Sequence, residues 1–308
     1  MRLITRSDFD GLVCAVLLKE VMDVDPIEFV HPKDVQDGKI AVGSGDILTN
    51  LPYVPGVGLW FDHHSSEAVR NDVDGVSFEG RFEVAPSAAR VVYNHYREQG
   101  RGGKLAKYDE LLESVDKSDA ATLSHDDVVK PSGWILLSYV MDPRTGLAYH
   151  RDYRISNREL MMKMVEWIPT KSAAEILDEP DVKERVARYF EGLEEFKKVT
   201  QKHSRVDGNV IITDLRGLES MPTGNRFLVY TMFPEQNIQV RIFDGKRGEV
   251  VVCALGHSIF NRTSNTDVGK LMDRYGGGGH RGAGTCQLPI AEADSKIREI
   301  IEKCKRDG

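Results

Sequence analysis

The chain lacks three features that would each have pointed to another class of protein. Its four cysteines, Cys14, Cys253, Cys286 and Cys304, are scattered over 308 residues with no C-x-x-C spacing. That pattern gives no disulfide framework and leads us to expect reduced packing thiols in a cytoplasmic protein. No apolar run approaches the roughly 20 residues of a membrane span, and Asp8 and Asp10 fall where the apolar stretch of an export signal would lie. Neither export nor membrane attachment is expected. Positive charge is not in excess either: 41 Lys and Arg stand against 48 Asp and Glu, a net charge of -7. This argues against a broad basic surface for long duplex nucleic acid, because phosphate neutralisation dominates that kind of binding.

What the sequence does hold is acidic residues and histidines at the ends of short apolar runs. Leu3-Ile4-Thr5 stops at Asp8-Phe9-Asp10-Gly11, and apolar residues at helical spacing follow from Leu12 to Met22. A second run, Ile40-Ala41-Val42, leads through Gly43-Ser44-Gly45 to Asp46, and a third, Leu59-Trp60-Phe61, leads to Asp62-His63-His64. If the three runs are strands of a parallel sheet, Asp8, Asp10, Asp46, Asp62, His63 and His64 gather at their carboxyl ends, where open α/β sheets bind ligands. Asp and Gly after one strand are ordinary turn residues; three such ends together are not. Carboxylates gathered in this way repel one another unless cations neutralise them. Hard oxygen ligands mixed with imidazole suit manganese, or magnesium in its place.

A second signal lies near the other end, in Arg274-Tyr275-Gly276-Gly277-Gly278-Gly279-His280-Arg281-Gly282. Glycines let backbone amides approach an anion closely, and His280 and Arg281 add charge-assisted donors. The run lacks the Lys of a P-loop and does not open a helix as a dinucleotide fingerprint does. Gly256-His257-Ser258 lacks the second glycine of a nucleophile elbow. Between the two signals, Asp181 to Lys202 carries Val182, Val186, Phe190, Leu193, Phe196 and Val199 at helical spacing. After it, Val210 to Thr213, Phe227 to Met232, Ile238 to Phe243 and Glu249 to Leu255 read as strands. Asp267 to Tyr275 and Ala291 to Cys304 read as helices. The expected fold is α/β, with a mostly parallel N-terminal sheet flanked by helices, a helical connector, and a smaller C-terminal α/β domain with a mixed or antiparallel sheet. The corresponding ranges are 1–180, 181–205 and 206–308. The segment 134–168 is expected to be helical and to serve core packing or a homodimer surface. His31 and His95 are read as surface or packing histidines.

These motifs resemble, nearly end to end, the DHH phosphoesterase superfamily and its associated C-terminal domain. The resemblance assigns the first motif to Asp8 and Asp10, the second to Asp46 and the third to Asp62-His63-His64. The fourth falls to Asp119, followed by Ala120-Ala121, with Asp116 as the alternative. It implies two divalent cations: Asp46 bridging them, Asp8 on one, and Asp10, His63 and Asp119 on the other. His64 would then face the substrate phosphate, with Asp62 orienting the histidines. Gly277, Gly278, Gly279, His280 and Arg281, with Arg262, would form a phosphate clasp. The implied reaction is metal-assisted hydrolysis of a phosphoester in a short oligonucleotide or small phosphorylated nucleotide. Exopolyphosphatase and cyclic dinucleotide phosphodiesterase are the alternatives within that class. One departure stands out: many members carry a His four residues before the first motif, where this chain has Ile4, and RecJ-type members often have an Asp two residues before it, where this chain has Arg6. One of the two metals is thus short of a ligand, and this motivates a second reading, a non-catalytic nucleotide-binding regulator.

Overall fold

The computed structural model describes residues 1–64, 77–220, 222–245 and 248–308. They form two compact units, residues 1–123 with 130–188 and residues 124–129 with 189–308. The helix Pro180–His203 contributes to both.

In the first unit, β1 (Arg2–Arg6), β2 (Ile27–Val30), β3 (Asp46–Thr49), β4 (Leu59–Asp62) and β5 (Gly80–Phe82) make a parallel sheet in the order β2-β1-β3-β4-β5. The chain runs from β1 to β2 on one side and then to β3 on the other. That reversal opens a crevice at the carboxyl ends of β1 and β3. On one face Ile4, Leu48 and Trp60 pack with Val35 and Leu51, and the Trp60 ring is surrounded by Tyr53, Phe78 and Phe82. The helix Phe9–Val21 is buried nearly all round, as befits a helix with no polar stripe. It packs against β1 and the helices Ala88–Glu98, Asp109–Asp119 and Asn157–Trp167.

The expected strand at Ile40-Ala41-Val42 does not form, and β3 instead begins at Asp46. Its register pairs Arg2 with Asp46 and Thr5 with Thr49. Asp46 therefore sits at the entry of its strand, and Asn50 follows the exit.

In the second unit, β6 (Ser204–Asp207), β7 (Val210–Asp214), β8 (Ile238–Asp244), β9 (Val250–His257), β10 (Gly278–His280) and β11 (Ala283–Pro289) form a mixed sheet in the order β10-β11-β9-β8-β7-β6. Its one parallel pair is β7 with β8. Alternate residues such as Ile238, Val240 and Ile242 pack against the helices Val268–Asp273 and Ile290–Asp307 through Val268, Leu271, Met272, Ile297 and Ile300. All four cysteines are buried and free; Cys253 and Cys286 lie opposite each other on neighbouring strands of this core. The expected strand at Phe227–Met232 is a helix, Leu228–Met232. A short all-apolar run does not distinguish the two by periodicity, and here the Asn225 side chain accepts from the Phe227 amide at 2.9 Å and starts the turn. No helix among the described residues is long and apolar enough to cross a membrane.

The glycine run proves to be partly a packing device. A Cβ on Gly277 would lie 2.2 Å from the Thr285 carbonyl oxygen and 2.7 Å from Cys286 Cα, and one on Gly279 would lie 2.2 Å from the Ala283 carbonyl oxygen. Gly278 alone of the three faces open space. Gly277→Ala should therefore lower unfolding stability by about 1–3 kcal/mol, the usual cost of overpacking, whereas Gly278→Ala should stay within about 0.5 kcal/mol of the parent. Urea unfolding of the full chain checks both values.

Candidate metal centre

The site begins with a turn that only glycine can complete. After β1, the Asp8 side chain caps the helix Phe9–Val21 by accepting from the Gly11 amide at 3.0 Å. Gly11 itself lies so close to β1 that a Cβ would fall 2.1 Å from the Arg6 carbonyl oxygen. Asp10, in the first turn, is thereby turned inward and buried. Its two carboxylate oxygens accept the Ala88 and Ala89 amides at 2.9 and 2.8 Å. These are among the first amides of the helix Ala88–Glu98, whose own cap is Ser87, and a helix N-terminus favours a negative charge.

His63 and His64 follow the end of β4, and their rings are held in different ways. His63 Nδ1 lies 3.0 Å from the Ala85 carbonyl oxygen, an acceptor, so the ring proton sits on Nδ1. The buried Nε2 makes no hydrogen bond, yet lies 3.2 Å from Asp119 Oδ2 and 3.9 Å from Asp10 Oδ2. Asp119 is the last residue of the helix Asp109–Asp119, which ends as Ala121 turns into the left-handed region at φ 52°. One ligand atom each from Asp10, His63 and Asp119 lie within 4.8 Å of one another. A bare imidazole lone pair aimed at two carboxylates is repulsive unless a proton or a cation lies between them. The donor set of two carboxylate oxygens and one imidazole nitrogen fits a divalent cation.

Electrostatics points the same way. Burial pushes the Asp10 carboxyl well above the usual range, and the charges of Asp119 and Asp8 push it further. Burial raises Asp8 too, with Arg6 pulling against it and Asp119 adding to it. His64 Nδ1 is 2.9 Å from Asp62 Oδ1. Burial would lower the His64 pKa, but the hydrogen bond and charge of Asp62, with Asp119 beyond, outweigh it and raise it.

The expected residues are not all brought together. Asp46 lies at the far end of β3, where its carboxylate binds the Arg2 guanidinium at 2.8 Å through both oxygens and accepts the Gly43 amide at 2.7 Å. It cannot bridge cations at the opposite sheet end. Asn50 holds the corresponding place: its Nδ2 lies 3.2 Å from Asp8 Oδ1, with its backbone in the left-handed region at φ 55°, which Asn tolerates. Asp116, the alternative to Asp119, is engaged by the Arg90 guanidinium at 2.6 and 2.9 Å and by the Ser87 hydroxyl at 2.7 Å. Ile4 is fully buried within the core. In the second unit His280 and Arg281 are exposed, and Arg262 Nε donates to the Ile259 carbonyl at 3.0 Å. Sequence reading also missed Arg144, an exposed side chain whose Nε donates to Asp142 Oδ1 at 2.7 Å and whose charge is strengthened by Asp142, Asp8 and Asp119.

Asp116 and Asp119, three residues apart, should thus respond oppositely to loss of charge. In chelator-treated protein at pH 8, Asp116→Asn should lose about 1–3 kcal/mol, since the half-buried Arg90 loses its carboxylate partner. Asp119→Asn should raise the melting temperature, because it relieves the repulsion on Asp8 and Asp10. Thermal unfolding of the two variants beside the parent checks the pair.

No protein-family model matches the chain, and no curated protein does. Solved structures do. The structure of the pGpG-specific phosphodiesterase PggH from Vibrio cholerae is 45% identical, with 100% of this chain and 99% of that one covered and a TM-score of 0.83. The DHH domain of a member of the s1p family of ribosomal proteins is 11% identical, with 99% and 86% covered and a TM-score of 0.56. An exopolyphosphatase-related protein from Bacteroides fragilis is 11% identical, with 99% and 92% covered and a TM-score of 0.51. The last two share the fold alone. With 45% identity to the first over the full length, and the Asp-x-Asp, Asp-His-His and helix-end Asp motifs in place, the chain belongs to the DHH phosphoesterase superfamily, hydrolases acting on phosphoester bonds.

Proposed function

We propose that this protein is a metal-dependent phosphodiesterase that cleaves a linear, 5′-phosphorylated dinucleotide such as pGpG into mononucleotides. The observation that carries the reading is the 45% identity over the whole chain to a phosphodiesterase described as specific for pGpG. The net charge of -7 agrees with a short anionic substrate held locally rather than a long nucleic acid spread over a basic surface. The cyclic dinucleotide, phosphoadenosine phosphate and polyphosphate readings become the competing arms of the test.

In this reading Asp10, His63 and Asp119 hold a divalent cation, manganese or magnesium. Such a cation supplies charge neutralisation at a phosphoryl group and lowers the pKa of a bound water. The rest is the work of the chain. The Ala88 and Ala89 amides fix the direction of Asp10, and the Ala85 carbonyl fixes the His63 tautomer, so that neither ligand has to reorganise on binding. Asp62 holds the His64 ring through Nδ1 and favours its protonated form. The single Nε2 proton of that imidazolium is then the one given to the leaving oxygen as the phosphoester bond breaks. Arg144 adds a permanent positive charge felt by Asp8 and Asp119. Within the second unit, the exposed His280 and Arg281 with the open backbone at Gly278 are donors suited to a phosphate group.

Purified protein with manganese should be offered pGpG, other linear dinucleotides, a cyclic dinucleotide, phosphoadenosine phosphate and polyphosphate, with products separated by chromatography. Release of mononucleotide from the linear dinucleotide, at least about tenfold faster than any turnover of the others, is the expected outcome. A preference for the cyclic compound or polyphosphate overturns the substrate assignment, and no turnover of any of them favours a non-catalytic binder. His64→Ala should lower kcat on the dinucleotide by about 10²–10⁴, the range for loss of a proton donor, and leave metal content unchanged. Loss of metal in that variant would place His64 among the ligands instead.

A further inference from the structure

The family resemblance implies two cations, and among the described residues Asp10, His63 and Asp119 fit one of them. We propose that this is a one-cation centre in which the Arg6 guanidinium takes the place of the second metal. The inference rests on the metal-dependent reading above and deepens it.

The second cation would need Asp8 together with a carboxylate at the end of β3. Asp8 is already committed. Its Oδ1 accepts the Gly11 amide at 3.0 Å and faces Asn50 Nδ2 at 3.2 Å, while its Oδ2 faces Arg6 Nε at 2.8 Å. The carboxylate at the end of β3 is absent, because Asn50 stands there and Asp46 is bound to Arg2 at the other end of the strand. An amide is neutral and cannot bridge two cations as a carboxylate does. The Asn50 amide, moreover, turns its donor towards Asp8 and leaves Oδ1 buried without a hydrogen bond. Further upstream, Ile4 belongs to the core.

Two substitutions therefore act together. Asn for a carboxylate removes one negative charge, and Arg6 adds one positive charge beside the carboxylate that remains. A guanidinium keeps its proton at any physiological pH and neutralises Asp8 permanently, so nothing is left at that position for a second cation to offset. The Asp10, His63 and Asp119 set shows the opposite pattern. Its buried His63 Nε2 has no hydrogen-bond partner and lies 3.2 Å from Asp119 Oδ2 and 3.9 Å from Asp10 Oδ2, a donor set that suits one cation.

The test is metal stoichiometry in the full chain. Chelator-stripped protein is titrated with manganese chloride by calorimetry, and the bound metal is counted by elemental analysis after gel filtration. One equivalent is expected. Asp8→Asn, which keeps a good helix cap, should still bind one equivalent within about threefold of the parent affinity, whereas Asp119→Asn should weaken binding at least about tenfold. The double variant Arg6→Gln with Asn50→Asp should take up a second equivalent. Circular dichroism confirms that each variant is folded. Two equivalents in the parent, loss of metal in Asp8→Asn, or no second equivalent in the double variant would each overturn the one-cation centre while leaving metal-dependent catalysis standing. No bound manganese in the parent would overturn both.

Discussion

Burial of the Asp10 carboxylate is the constraint around which the first unit is arranged. An unpaired carboxylate taken out of water is costly, and the chain offsets that cost with two backbone amides from one helix end. This fixes where the helix Ala88–Glu98 must start and why Ser87 caps it. It also requires β1 and the helix Phe9–Val21 to meet without a side chain at Gly11. The donors only orient the charge, however, and do not neutralise it. Asp119 brings a further carboxylate to the buried His63 Nε2, so that the two carboxylates and the imidazole together suit a divalent cation.

Much of this was legible in the sequence because the chemistry lies at turns. Asp8-Phe9-Asp10-Gly11 and Asp62-His63-His64 each follow a short apolar run, and both runs proved to be parallel strands. The misreading of Asp46 has a physical origin. Ile40-Ala41-Val42 looks like a strand by composition, yet the β3 ladder begins only at Asp46, an unusual strand residue kept there by its register partner Arg2. Asn50 gave little warning, since an Asn-Leu-Pro sequence reads as an ordinary turn. The apolar run at 227–232 was ambiguous for another reason: its helix begins where the Phe227 amide donates to the buried Asn225 side chain, a contact with no periodic signature.

The glycine cluster teaches a different lesson. A glycine can be present to admit a ligand or to admit the protein's own backbone, and sequence does not separate the two. Here Gly277 and Gly279 let β10 and β11 approach, with Gly269 and Gly284 making similar close contacts across to the neighbouring helix and strand. What remains open to solvent is narrower: the backbone at Gly278 and the exposed side chains of His280 and Arg281.

Because Asp10 is held by main-chain donors, its partners at positions 88 and 89 are not exposed to ordinary mutation. Any residue that fits the fully buried space there would present the same amide, so drift is limited by volume and not by function. The exception is proline. The first position of a helix is elsewhere the one most hospitable to it, since the amide it removes has no partner within the helix. At position 88 that amide is spoken for by a carboxylate, and the usual preference is reversed.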